Sequence, residues 1–532
     1  MHTHPFLAKI RQVLIDYPVY VAWVVSKNKR LFSILAGIVL MILVLLVKLW
    51  YTKSQIRNKT HVTVSITDLF TTVHPIVLSD RVLDNMFKRL VYSPLLYVES
   101  DGSLTPVLLE SFSIGKENKI YTLRLKEGIY WSDKTLLTTQ DVIFTYNFIK
   151  KNFPDTQIAK ALEGATMTRF GDYILEIRLK NPYVGFLRLL DFSIAAEHRY
   201  KDLDIYALLE QAYTTNIVEN GPYVLDYLSI DKFTLADAKN QKLLVTFNYQ
   251  KSPKDVYIDM VANVADIGVF TVTESALIEK LRTHDDIRVV KYPITNNIKG
   301  LFINLKASGI LAKDSQVRQA LLHLLAPSIF VNAFDTTPAF SIYPEGSSYF
   351  LPSLKTRSIQ RGQDLLGDKK IHFVLSYLDI PEEARVAQFI KDFLSKYGIN
   401  VTLDPINVED FDFKIFEQKD FEVLLYGIKA PTDPDQSVFW HSKGALNIIG
   451  LEDLDIDQLL EQGLVTYNML DRQIVYNRLQ DKLINQEAVF IPLYHPNLYV
   501  AYKEYVQNLG FSLESKPITT KADFVRVAFP GF

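Results

Sequence analysis

The segment YGIKAPTDPDQSVFWHS, Tyr426 to Ser442, sets two carboxylates, Asp433 and Asp435, between the aromatic side chains of Tyr426 and Trp440. It follows an apolar strand pattern, FEVLLYG, and so falls at the strand end where α/β proteins usually hold ligands. Carboxylates there can accept charge-assisted hydrogen bonds, and aromatic walls can hold side chains or sugar faces while polar groups fix orientation. Ordinary turn-forming and capping work is the competing reading for both aspartates. Tyr92, in YSPL, is a further aromatic candidate, with core packing as its alternative. Asp80, in LSDR, could meet a ligand or simply cap a helix beginning near Arg81.

Chemistry of other kinds finds little support. The chain has no G-x-S-x-G, no phosphate-binding G-x-x-x-x-G-K, no G-x-G-x-x-G and no H-E-x-x-H. Its ten histidines are scattered, with His2 and His4 the one close pair, so local spacing builds no metal site. Zero cysteines exclude disulfides, thiolate ligands, cysteine nucleophiles and a lipid-modified cysteine anchor. A hydrolase would need a carboxylate pair or metal cluster assembled from distant residues. The expectation is a protein that is no enzyme and carries no cofactor. Residues 1–60 hold nine Lys and Arg against one Asp, leaving 49 basic and 59 acidic side chains beyond them. An acidic outer part offers no footprint for nucleic acid.

The elements that must position these residues are legible in places. KIYTLRLK, Lys119 to Lys126, nearly alternates apolar and polar side chains, as a half-buried strand does. Thr138 and Asp141 form a capping pair ahead of an apolar helical face at Val142, Ile143, Tyr146 and Ile149. From Ile371 to Gly427 a strand, a helix opened by Pro381 and closed by Gly398, and two more strands make a βαβ unit, implying a mostly parallel sheet. Ser341 to Gly362 reads as a long surface loop.

LLESF, YTLRLKEGIYWSD and LTTQDVIFTYNF, in that order, resemble the family 5 extracellular solute-binding proteins, the peptide- and nickel-type receptors of ABC importers. HPIVLSDRVLDNMFKRLVYSPLL, NPYVGFLRLL, NGPYVLDYL, the RQAL segment within Lys299 to Leu325, and Asp471 to Asn497 continue the likeness, which covers residues 61 to 532. The resemblance implies a two-lobed α/β, type II periplasmic-binding-protein-like fold with a hinge, crossed near Pro293 to Gly300 and Tyr494 to Tyr499. It implies lobe one at 61–295 with an inserted subdomain, lobe two at 296–498 and a return to lobe one at 499–532. Asn220, at the start of NGPY, would approach the cleft. In the peptide-binding branch an acidic residue just before a D-P element pairs with the peptide's amine; here that position is Ala430, flanked by Lys429 and Pro431, so Asp433 or Asp435 would have to serve. Lys134 and Leu136 also stand where the family has Gly and Pro in D-G-x-P-L.

An anchor is expected at 31–51. Leu31 to Val47 are seventeen uncharged residues, about enough to span a bilayer, with a cleaved signal peptide as the competing reading. A tail at 1–30 would precede the span and a linker at 52–60 follow it. Basic residues flank both sides, and only the resemblance favours a cytoplasmic N-terminus. The expected protein is a monomeric, membrane-anchored receptor on the outer side. It would bind a short peptide or similar small solute and pass it to permease and ATPase subunits. An envelope sensor or scaffold without transport, or a binder of a sugar or nucleoside, is the alternative.

Overall fold

The alternating KIYTLRLK pattern forms the strand Ile120–Leu125, and the Thr138 pair caps the helix Thr139–Asn152: Asp141 Oδ2 accepts the Thr138 backbone N–H at 2.8 Å. The computed structural model describes Met41 and residues 60–532, apart from residues 80, 100–101, 155, 240, 272–274, 430–432, 515, 517, 519–520 and 531–532. The expected tail, all of the span but Met41, nearly all of the linker, and the candidate Asp80 lie outside the described residues. Two compact units result, residues 1–61 with 241–244, and residues 62–240 with 245–532. In the first, the Thr60 N–H donates to the Lys242 carbonyl at 2.8 Å.

The second unit is two-lobed. Lobe one is built on a seven-stranded sheet, in the order Ile287–Pro293, Asn497–Lys503, Ile267–Phe270, Thr60–Thr67, Leu243–Gln250, Lys232–Asp237 and Tyr223–Leu228. A four-stranded antiparallel sheet containing Ile120–Leu125 packs with the helix Thr139–Asn152 around a separate core that includes Trp131, Tyr146 and Phe186. Lobe two carries a six-stranded sheet, Thr337–Pro338, Phe490–His495, Asn297–Ile303, Val423–Lys429, Ile371–Leu378 and Ile399–Ile406. The βαβ unit forms as read: Pro381 opens the helix Pro381–Ser395, Gly398 takes φ +74°, and the strands at 371 and 399 pair in parallel. The sheet as a whole corrects the mostly parallel expectation, since Asn297–Ile303 runs antiparallel to both its neighbours. The strand that enters the lobe thus pairs with strands met more than a hundred residues later, which local pattern does not reveal.

Ser341 to Gly362 is another correction. Ser341, Ile342, Tyr343, Tyr349 and Leu354 are buried, and helix Ile359–Leu366 begins inside the segment. Its large aromatics fill space around lobe two's helices, which a solvated loop would not do. Lys134 takes φ +71°, so the turn keeps the geometry for which glycine is suited without the glycine. Among the described residues, the helical stretch Ser315–Phe334 is long and apolar enough to cross a membrane, but it is mostly buried within lobe two.

Two short links join the lobes. Residues 294–296 carry the chain from Ile287–Pro293 into Asn297–Ile303, and Pro496 carries it back from Phe490–His495 into Asn497–Lys503. They lie side by side: the Ile294 N–H donates to the Pro496 carbonyl at 3.0 Å, and His495 Nδ1 lies 3.0 Å from the Asn297 carbonyl. A pair of short crossings between rigid sheets is the geometry of a hinge.

Burial lowers the His495 imidazole to about 4, and likewise that of His74 in lobe one. Between about pH 6.5 and 4 the unfolded chain therefore binds more protons at these sites than the folded one. Their stabilisation is complete above pH 6.5 and falls by about 3 kcal/mol per histidine as pH drops to 4. Urea midpoints are expected to decline from pH 7 to 4.5, less steeply in His495→Gln. Equal slopes in both proteins would contradict this.

Candidate functional site

The strand Val423–Lys429 feeds the segment that bears the paired aspartates, and both carboxylates have partners within the protein. Asp433 is fully buried and takes a two-pronged ion pair from Arg472, Nη2 to Oδ1 at 2.8 Å and Nη1 to Oδ2 at 3.0 Å. Arg472 projects from the helix Met469–Gln480, its Nε donates to the Gly463 carbonyl at 2.8 Å, and the rings of Tyr349 and Tyr476 flank it. Burial works against that charge, but Asp433 outweighs it and raises the guanidinium above its ordinary value. Asp435 accepts from the Ser437 N–H at 2.9 Å and from its hydroxyl at 2.5 Å, at the start of the short helix Ser437–Trp440. Burial pushes its carboxyl up. The protein thus uses both aspartates for internal pairing and capping.

The aromatic candidates are braces. Trp440 is fully buried, donates Nε1–H to Gln436 Oε1 at 2.8 Å and stacks on Phe302. Tyr426 is half-buried against Phe411 and Phe416. Tyr92 is buried with its hydroxyl on the Val73 carbonyl at 2.9 Å, and burial pushes the phenol well up. Asn220 accepts the Ser93 N–H on Oδ1 at 2.8 Å. Next to it, Gly221 lies so close to the end of helix Val82–Val91 that a Cβ would fall 2.5 Å from the Val91 carbonyl carbon. The NGPY turn therefore docks backbone on backbone.

The lobes touch beside the aspartates. Leu464 of lobe two packs against the separate core of lobe one that includes Trp131, Tyr146 and Phe186, and its carbonyl accepts the Val184 N–H at 3.3 Å. Gln157 donates to the Asp435 carbonyl at 3.4 Å, and Tyr467 to the Glu117 carbonyl at 3.1 Å. Gly185 faces the buried ion pair directly: a Cβ there would lie 2.1 Å from Asp433 Oδ2.

Two cavities are lined from both lobes. One, of about 420 Å³, is lined from lobe one by Gln157, Lys160, Glu163 and Tyr183 and from lobe two by Asp435 and His441. The other, of about 400 Å³, lies at the hinge, between the helix Val82–Val91, the segment Asp191 to Ser193, the crossing at Ile294 to Asn297, Lys429 and Lys521. Of the candidates read from sequence, Asp435 lines the first; Asp433, Trp440, Tyr426, Asn220 and Tyr92 line neither. The cationic wall of the hinge cavity was not read from sequence. Lys429, at a strand end where an acid was sought, was its one visible sign.

The model for Bacterial extracellular solute-binding proteins, family 5 Middle, matches residues 103–448. The oligopeptide-binding protein AppA of Bacillus subtilis is 22% identical over 467 residues, covering 80% of this chain and 84% of its own. The structure of the ABC transporter substrate-binding protein CtaP of Listeria monocytogenes superposes with a TM-score of 0.76 at 22% identity, over 88% of this chain and 98% of its own. That of NikZ from Campylobacter jejuni, solved with Ni(L-His), superposes with a TM-score of 0.70 at 18% identity, over 88% and 98%.

Proposed function

Because the chain belongs to the family 5 bacterial extracellular solute-binding proteins, we propose that it is the membrane-anchored receptor of an ABC importer, capturing a short peptide or similar small solute. The observation that carries this reading is a lined cavity between two lobes joined by two adjacent crossings. Such a cleft holds solute by closing, a population shift stabilised by contacts that the closed form alone makes. The oligopeptide-binding relatives favour a peptide, and the loss of an acid at Ala430 leaves room for other solutes. In this reading the chain catalyses nothing, works as a monomer, is held by the apolar run Leu31 to Val47, and hands its solute to permease and ATPase subunits. Lobe one would take 61–295 and 499–532, and lobe two 296–498.

Mild unfolding of the purified full-length chain in detergent, followed by mass spectrometry of what is released, tests the proposal. Peptides of a few residues are expected. Another solute would keep the receptor and remove the peptide. An empty chain whose thermal midpoint ignores peptide, sugar and nucleoside pools would favour a sensor or scaffold.

A further inference from the structure

Resting on the receptor reading, we propose that the hinge cavity takes an oxyanion of the solute, a carboxylate or a phosphate, on the ammonium groups of Lys88 and Lys521. The charged side chains lining it are Lys88, Arg89, Lys429 and Lys521 against one carboxylate, Asp191. Asp191 is already committed: Arg89 holds both its oxygens, Nη2 lying 3.2 Å from Oδ2, and the Val98 N–H approaches Oδ2 at 3.3 Å. Arg89 is shared further with Asp523 at 3.2 Å. Lys88 and Lys521 are therefore the charge that the proposal draws on.

Lys88 and Lys521 each have donors to spare. Lys88, on the helix Val82–Val91, is only 6% exposed, and its hydrogen-bond acceptor among the described residues is the Val77 carbonyl at 2.5 Å. Lys521 donates to the Thr271 carbonyl. An ammonium carries three donors, and one as buried as that of Lys88 with most of them unmet is costly. The nearest carboxylates do not fill the gap. Asp84, which lies close enough to favour the Lys88 charge, is occupied by the Thr71 and Thr72 N–H groups and the hydroxyls of Thr71 and Ser79. Around Lys521 the charges are mixed, Glu382 and Asp68 against Lys299 and Lys429, and Lys299 is itself paired with Glu383. Consistently, burial lowers the Lys88 ammonium to about 8 and lowers that of Lys521 as well. A bound oxyanion would supply the missing acceptors and favour both charged forms. Recognition through an acid also fits a chain with Ala430 where the peptide branch places an acid for the amine.

The test uses the full-length chain in detergent, stripped by mild denaturant and refolded. Three probes are titrated by calorimetry: N-acetyl-trialanine, with a carboxylate and no ammonium; trialanine amide, with the reverse; and glucose 6-phosphate. Expected is binding of the acetylated acid or the sugar phosphate, at least tenfold tighter than the amide, the stronger of the two identifying the anion's source. Lys521→Gln and Lys88→Gln are each expected to weaken that binding at least tenfold while the stripped protein's thermal midpoint stays within a few degrees. Tighter binding of the amide, or anion binding indifferent to both substitutions, overturns the proposal and leaves the receptor reading standing. Silence toward all three probes, with no solute released from the untreated chain, overturns both.

Discussion

Arg472→Met is expected to destabilise the chain by about 3–5 kcal/mol, because it strands the Asp433 carboxylate, fully buried, without its counter-charge. The loss should not be additive. Once Asp433→Asn has removed the charge, the same substitution should cost about 2 kcal/mol less, the difference being the coupling within the pair. Urea unfolding of the two single variants and the double variant measures this. A loss under 1 kcal/mol for Arg472→Met would mean that the ion pair is solvated in solution and lobe two is looser than described.

The second large effect concerns motion rather than stability. Gly185 has φ −79° and ψ 0°, values that any residue adopts, so alanine strains nothing in lobe one itself. Its methyl group would nonetheless lie 2.1 Å from Asp433 Oδ2 and 2.2 Å from Cγ, across the contact between lobes. Gly185→Ala is therefore expected to leave the unliganded thermal midpoint nearly unchanged while weakening solute binding at least tenfold, about 1.4 kcal/mol. Unaltered affinity would show that solute is held without this contact closing.

How far the sequence reached depended on distance along the chain. The capping pair Thr138 and Asp141 and the unit from Ile371 to Ile406 were legible because their partners are local and their periods regular. The antiparallel pairing of Asn297–Ile303 was not, since its neighbours arrive at Val423–Lys429 and Phe490–His495. The same limit governed the site. Asp433 looked available because Arg472, which holds it in an ion pair, stands 39 residues away. Lys521 reaches the hinge cavity only because the chain's last segment folds back onto lobe one, where Phe529 stacks on Phe247 and Arg526 meets Glu99. Tyr343 and Tyr349, inside a stretch that reads as polar, carried their own signal: aromatic side chains of that size seldom line a solvated loop.

Closure of two lobes on a solute can be measured directly, since a chain without cysteine accepts a labelled pair with no background. Glu163→Cys and Lys443→Cys place spin labels on exposed residues, one from each lobe, that line the cavity beside Asp435. In the full-length protein as purified, the distance between labels is expected to be short and narrowly distributed. Stripping should lengthen and broaden it, and a pool of short peptides or the released solute should restore it. A distribution unmoved by stripping and reloading would contradict a hinged receptor and leave a rigid scaffold in its place.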